Sequence, residues 1–141
     1  MLDHVAYFIY IVIFTYCYFV LNKKLSTKWI FILYFLVFVA MIYPMKLWFN
    51  YARHAYGDIL ADRWLKIMLM MFASMTIFNW AYGAVNLIAD KQVQFHQTYN
   101  KFNANGSLKS ILDNASSIKS FARFFFYIGG VVLIYIYIQK V

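Results

Sequence analysis

Three side chains that could ligate a metal ion or exchange a proton follow one another at intervals of four residues: His54, Asp58 and Asp62. On a helix, this spacing would place an imidazole and two carboxylates on one face, an arrangement suited to metal binding or acid–base chemistry. Arg53 and Arg63 stand beside the same residues and can compensate the carboxylates as ordinary surface ion pairs. We therefore predict ion pairs at this position rather than a metal site or a catalytic site.

A second set of residues lies in and just after the longest apolar stretch, residues 64–89. Polar and small side chains recur there at intervals of three and four residues, so that on a helix they share one narrow stripe: Thr76, Asn79, Gly83, Asn86 and Asp90. Toward Trp64 the same stripe continues as Phe72 and Leu69, so only half of it is polar. Polar side chains in an apolar environment are costly unless they find partners, which makes this stripe the main candidate site.

Three interpretations of the stripe remain open. In the first, Thr76 and Asn79 hydrogen-bond to another helix of the same chain, and Gly83 permits close contact. In the second, the stripes of identical chains line a conduction path whose apolar half acts as a gate. In the third, the stripe and the glycine pair Gly129 and Gly130 contact a different membrane protein. We predict that all seven of these residues make helix–helix or partner contacts.

Composition identifies the environment in which these residues act. The chain is 65% hydrophobic and 23% aromatic, and only 13% of its residues are charged, whereas a typical soluble domain is roughly 45–50% apolar. The charged residues fall mostly between apolar runs rather than within them. A soluble domain of 141 residues could not bury so much apolar surface. We therefore predict an all-α integral membrane protein in which residues 1–141 form one domain.

Four segments are long and apolar enough to cross a bilayer, and they are residues 5–21, 29–49, 64–89 and 121–138. Pro44 removes a backbone donor from the second segment, so we expect a kink there. Gly57 is expected to mark the bend between the second and third segments. A helical period continues beyond Asp90 among glutamines, which predicts an aqueous extension of the third helix.

A short amphipathic helix is predicted over residues 107–118, with Ser107 as its N-cap. One face of this helix carries only apolar residues: Leu108, Ile111, Leu112, Ala115 and Ile118. An amphipathic helix between two membrane spans is expected to lie flat at the interface.

The distribution of basic residues predicts how the chain sits in the membrane. Four spans place both termini on one side, and the connections 22–28 and 91–120 on the other. Of the 13 lysines and arginines, more lie at the connection side than at the terminal side. By the positive-inside rule, the connections are expected in the cytoplasm and both termini on the opposite side. Such a protein would belong to a bacterial inner membrane or to an organellar membrane.

The sequence speaks against an enzyme. It contains no glutamate, a single cysteine at position 17, and no Gly-rich phosphate loop. His4, His54 and His96 all lie away from the centres of the spans, so a pair of axial haem ligands within the membrane is not expected. The basic residues flank apolar runs, which is typical of membrane anchoring rather than nucleic-acid binding. We expect no cofactor, no metal and no nucleic-acid partner.

These observations favour a small, non-enzymatic membrane protein whose partners are membrane lipids and other membrane protein subunits or further copies of itself. It would act as an interaction module or an accessory subunit of a membrane complex, which includes inhibitor and immunity roles. Its abundant aromatic side chains suit a rigid contact surface of this kind. The alternative is a homo-oligomeric channel in which the third span lines the path.

Overall fold

The computed structural model describes residues 2–99 and 114–141. In these residues four helices are long and apolar enough to cross a membrane. The first of these candidate spans, Asp3–Lys24, is called the first span below and consists of α1, a π-helical turn and one further helical turn. The helix bounds are α1 Leu2–Tyr16, the π turn Cys17–Leu21, the further turn Asn22–Lys24, α2 Thr27–Tyr56, α3 Asp58–Tyr99 and α4 Ala115–Lys140.

The helix α3 forms the centre of the bundle. It packs along α2 on one side and along α4 on the other, while α1 packs mainly against α4. The π turn of the first span also contacts α3. The polar half of the α3 stripe therefore lies where helices of the same chain can reach it.

A single glycine produces the tight reversal between α2 and α3. Gly57 has a φ of 88°, a left-handed conformation that side-chain-bearing residues rarely adopt. Its amide donates to the carbonyl of Arg53 and so completes the last turn of α2, and α3 begins at the next residue. The predicted bend at Gly57 is thus confirmed. The helix α2 continues through Pro44, which lies within it.

Aromatic side chains fill much of the interior. Phe14 and Tyr18 are fully buried, and Phe14 stacks on Tyr127 at a centroid separation of 5.5 Å. Tyr18 meets Tyr82 edge to face at 5.1 Å. Aromatic pairs in these geometries stabilise beyond their area burial by about 0.5–1.5 kcal/mol. The first span is thereby joined to both α3 and α4 in the half of the bundle where the polar stripe lies.

Each of the four predicted apolar segments lies within one of the four candidate spans of the structure. The third helix extends beyond Asp90, as predicted, and ends at Tyr99. The prediction for residues 107–118 needs correction. Ala115 and Ile118 belong to α4 and are continuous with the fourth span, because no helix-breaking residue separates 115–118 from Phe121. Leu108, Ile111 and Leu112 lie outside the described residues.

Candidate functional site

The polar stripe of α3 turns inward, and Asn79 is its most buried member. Asn79 is 0% exposed and Asn22, from the end of the first span, is 2% exposed. The Asn22 side-chain amide donates to Asn79 Oδ1 at 2.6 Å, and the Asn79 amide donates to the carbonyl of Met75 at 2.6 Å. The Tyr34 hydroxyl of α2 donates to Asn22 Oδ1 at 2.9 Å. One chain of hydrogen bonds thus joins the first span, α2 and α3.

The sequence contains a signal that identifies Asn22, although the segment predictions assigned it to a connection. Asn22 continues a series with a spacing of four residues, Tyr10, Phe14, Tyr18 and Asn22, and every member of this series is buried. The π turn lies immediately before it, and the Asn22 amide N–H closes that turn on the carbonyl of Cys17. Isolated π turns occur frequently at functional sites. The burial of Asn22, together with that of the rest of the series, shows that it belongs to the interior of the bundle.

Thr76 differs from the expectation that it would bond to another helix. Its hydroxyl donates to the carbonyl of Phe72, one turn earlier in α3, at 2.9 Å. This is the usual way in which a mid-helix threonine satisfies its hydroxyl without a partner helix. Thr76 is buried, but it adds no polar link between helices.

Gly83 lies where α2 and α3 approach closely. A Cβ atom at this position would stand 3.2 Å from the Phe31 ring and 3.4 Å from Ile30 Cγ2. Nearby, the Trp80 indole N–H donates to the carbonyl of Phe31 at 3.1 Å. The small residue and the indole bond together fix how α2 lies on α3.

The outer part of the stripe contacts α4. Arg123 Nε donates to Asn86 Oδ1 at 3.0 Å, and Arg123 Nη2 donates to the same oxygen. The guanidinium carbon lies 4.5 Å from the centroid of the Tyr82 ring, within the range of a cation–π contact. One turn further out, Lys119 Nζ pairs with Asp90 Oδ1 at 2.6 Å. Asn86 and Asp90 therefore hold the beginning of α4 against α3.

The glycine pair of α4 contacts the interior as well. A Cβ on Gly130 would stand 2.8 Å from Phe14 Cζ and 3.1 Å from Phe78 Cδ2. A Cβ on Gly129 would stand 3.2 Å from Phe78 Cε1. Gly130 thus provides the space that the fully buried Phe14 ring occupies.

The acidic residues near the α2–α3 turn form ion pairs. Arg53 pairs with Asp58 at 2.6 Å, as predicted, and Lys66 pairs with Asp62 at 2.6 Å. Arg63, which the sequence suggested as a partner for these acids, instead binds Asp3 of α1 at 2.8 Å. Gly57 separates His54 in α2 from the two aspartates in α3, so the three do not share a helix. Within residues 2–99 and 114–141, no group of three potential metal ligands occurs.

A groove of about 250 Å³ opens between α1 and α3 in the other half of the bundle. Its lining is apolar apart from one tyrosine, and methionines contribute three of its side chains: Ala6, Ile9, Tyr10, Ile13, Met68, Met71, Phe72 and Met75. The hydroxyls of Tyr10 and Ser74 bond to each other at 3.0 Å, so they satisfy each other within the chain. Flexible, polarizable methionine side chains suit a surface that adapts to a partner.

The stripe and the groove differ in whether their side chains are available to another molecule. The polar side chains of the stripe are engaged within the chain, whereas the groove between α1 and α3 is apolar and open. The sequence pattern indicated the stripe but gave no sign of the groove, because the groove depends on the distance between two helices. Searches against protein-family models, curated proteins and solved structures find no match to this chain.

Proposed function

We propose that this chain is an integral membrane protein with four spans that acts, without catalysing a reaction, as an interaction module or accessory subunit of a membrane complex. An inhibitor or immunity role is one form of this function. Two features support the proposal: an interior whose main polar groups are satisfied within the chain, and an outer surface rich in large apolar side chains. A bundle of this kind can associate in the membrane without first breaking its own contacts.

The groove between α1 and α3 is the observation that carries the proposal. Its occupant is one transmembrane helix of a different protein. The groove lies between two apolar helices, and the Tyr10 and Ser74 hydroxyls bond to each other. An apolar partner helix would therefore be recognised here by packing rather than by hydrogen bonding. Ile9 and Ile13 are 52% and 49% exposed, so they form the accessible wall of the groove.

The homo-oligomeric channel finds less support. A path lined by the stripe requires Asn79 and Asn86 to face water, but Asn79 bonds to Asn22 and Asn86 bonds to Arg123. Opening such a path would exchange these hydrogen bonds for bonds to water, at a net cost of about 0.5–1.5 kcal/mol for each bond. An interaction module keeps all of these bonds.

Filling the groove will weaken partner binding. We expect Ile13→Trp to reduce recovery of a stoichiometric partner, in pull-downs from source membranes in mild detergent, on the order of tenfold or more, as for a central contact residue. The matched control is Val12→Trp, on the same helix and 53% exposed but outside the groove. The control should retain the partner. Equal recovery with both variants contradicts the groove as the docking surface, and a clean homo-oligomer from the wild-type protein contradicts the proposed function.

The same proposal places the connections 22–28 and 91–120 in the cytoplasm of a bacterial inner membrane or organellar membrane, with both termini on the opposite side, because the cationic excess lies at the connections. A reporter enzyme that is active only outside the cytoplasm, or in the lumen, should be active when fused after Val141. The same reporter inserted at Ser26 should be inactive while the fusion accumulates normally. The reverse pattern would contradict this orientation.

A further inference from the structure

Arg123 stands apart from the other charged residues that have partners in the structure. Four aspartates are described, and each pairs with a different cation: Asp3 with Arg63, Asp58 with Arg53, Asp62 with Lys66, and Asp90 with Lys119. Arg123 pairs with none of these four carboxylates. Its described side-chain partners are the neutral amide of Asn86 and the ring of Tyr82. Its positive charge is therefore not neutralised by any described acid.

The partners of Arg123 fix its guanidinium in one orientation. Nε and Nη2 both donate to Asn86 Oδ1, and the Tyr82 ring lies under the guanidinium carbon. The Tyr18 hydroxyl donates to the Arg123 carbonyl at 2.7 Å and holds this turn of α4 against the first span. The two bonds to Asn86 use two of the five N–H donors of an arginine. A guanidinium held in this way is prepared for an oxyanion, because less side-chain freedom is lost on binding.

The end of the bundle that carries Arg123 is also strongly cationic. Asn22 bonds to Asn79 and Tyr18 bonds to Arg123, so the basic end of the first span and the beginning of α4 share this end of the structure. Asp90 is its one described acid. Six described cations stand against it: Lys23, Lys24, Lys28, Lys91, Lys119 and Arg123. A ligand at Arg123 is therefore favoured if it carries net negative charge.

We propose that Arg123 is the centre of a binding site for the phosphate of an anionic phospholipid, with the lysines at the same end of the bundle favouring net negative charge. The proposal rests on the membrane location given above, but not on the partner helix. Arginine binds phosphate oxygens through paired hydrogen bonds, and basic residues near a membrane surface attract anionic lipids. A zwitterionic lipid carries the same phosphate, but its cationic headgroup meets the lysines unfavourably. Inorganic phosphate has the oxyanion without the acyl chains.

The test compares three probes on the purified protein in an uncharged detergent: phosphatidylglycerol, phosphatidylcholine and inorganic phosphate. Native mass spectrometry counts bound lipid, and the unfolding temperature is followed in parallel. We expect at least a tenfold preference for phosphatidylglycerol over phosphatidylcholine, and no shift of the unfolding temperature with phosphate at the same concentration. Equal retention of the two lipids overturns the proposal. A shift with inorganic phosphate equal to that with phosphatidylglycerol assigns a free-anion site instead, which also overturns it.

Variants then locate the site. Arg123→Gln should lose most of the preference, and Arg123→Lys, which retains the charge but not the planar fork, should retain part of it. The matched control is Lys140→Gln, which removes one charge at the opposite end of the same helix and should leave the preference unchanged. Loss of preference in Lys140→Gln equal to that in Arg123→Gln indicates a general charge effect and overturns the site. If Arg123→Gln does not fold, Arg123→Lys locates the site, and an undiminished preference in that variant overturns the assignment to Arg123. Failure to isolate a protein partner has no bearing on these results.

Discussion

Asn79→Leu is expected to lower the free energy of unfolding by about 1–3 kcal/mol, because it leaves the buried amide of Asn22 without its acceptor. Leucine has the same number of side-chain heavy atoms as asparagine and branches at the same carbon, so the substitution leaves no cavity. Asn79 and Asn22 are 0% and 2% exposed, and water does not replace the lost bond at that depth. Reversible unfolding in mixed detergent micelles, followed by tryptophan fluorescence, measures the change.

Two further variants test whether the loss of stability comes from the Asn22–Asn79 hydrogen bond or from the removal of any polar side chain on α3. Thr76→Val is a matched control on the same helix, because the Thr76 hydroxyl bonds only to its own preceding turn. It should cost less than Asn79→Leu, because it leaves no buried side-chain amide without its partner. The double variant Asn22→Leu with Asn79→Leu should cost less than the sum of the two single variants, since each single variant strands the other amide. Additive losses would contradict the coupling that the 2.6 Å bond implies.

The positions of the helices could be predicted from the sequence, but the partners of their polar residues could not. Hydropathy and length define the spans, and Gly57 defines a turn, because these are local properties. The pairing of Asp3 with Arg63 joins residues far apart in the chain and follows only from packing. The beginning of α4 was missed for a related reason. Residues 115–120 are polar enough to resemble a separate segment, yet nothing in them ends a helix.

The polar half and the apolar half of the α3 stripe have different surroundings in the structure. Its polar half, from Asn79 to Asp90, contacts the first span, α2 and α4 through hydrogen bonds, an ion pair and the close approach at Gly83. Its apolar half includes Phe72, which lines the groove shared with α1. Hydrogen bonds between helices occur in both halves, since Tyr10 bonds to Ser74 and Arg63 pairs with Asp3 in the half that carries the groove. The engagement of Asn79 and Asn86 within the chain is what supports the proposed contact role over conduction.

Gly130→Ala is expected to destabilise the bundle by about 1–2 kcal/mol, although alanine is the better helix former. Exchanging glycine for alanine within a helix gains about 1 kcal/mol, while overpacking a filled core costs about 1–3 kcal/mol. A contact below 3.0 Å belongs to the upper part of that cost, about 2–3 kcal/mol, which leaves the net loss of about 1–2 kcal/mol. The new Cβ would stand 2.8 Å from Phe14 Cζ, a separation that requires the ring to move. Phe14 is 0% exposed and is stacked on Tyr10 and Tyr127, so it has little room to do so. The free energy of unfolding in micelles measures the result.

The neighbouring glycine provides the control. Gly129→Ala brings its Cβ to 3.2 Å from the Phe78 ring, which is only partly buried and can shift, so the helix gain and the packing cost should nearly cancel. Replacing Phe14 with a smaller residue tests whether its ring causes the destabilisation. In a Phe14→Leu background, Gly130→Ala should lose most of its destabilising effect, because leucine lacks the ring carbons that meet the new methyl group. An undiminished effect in that background would show that the close approach of α1 and α4 at Gly130 depends on something other than the Phe14 ring.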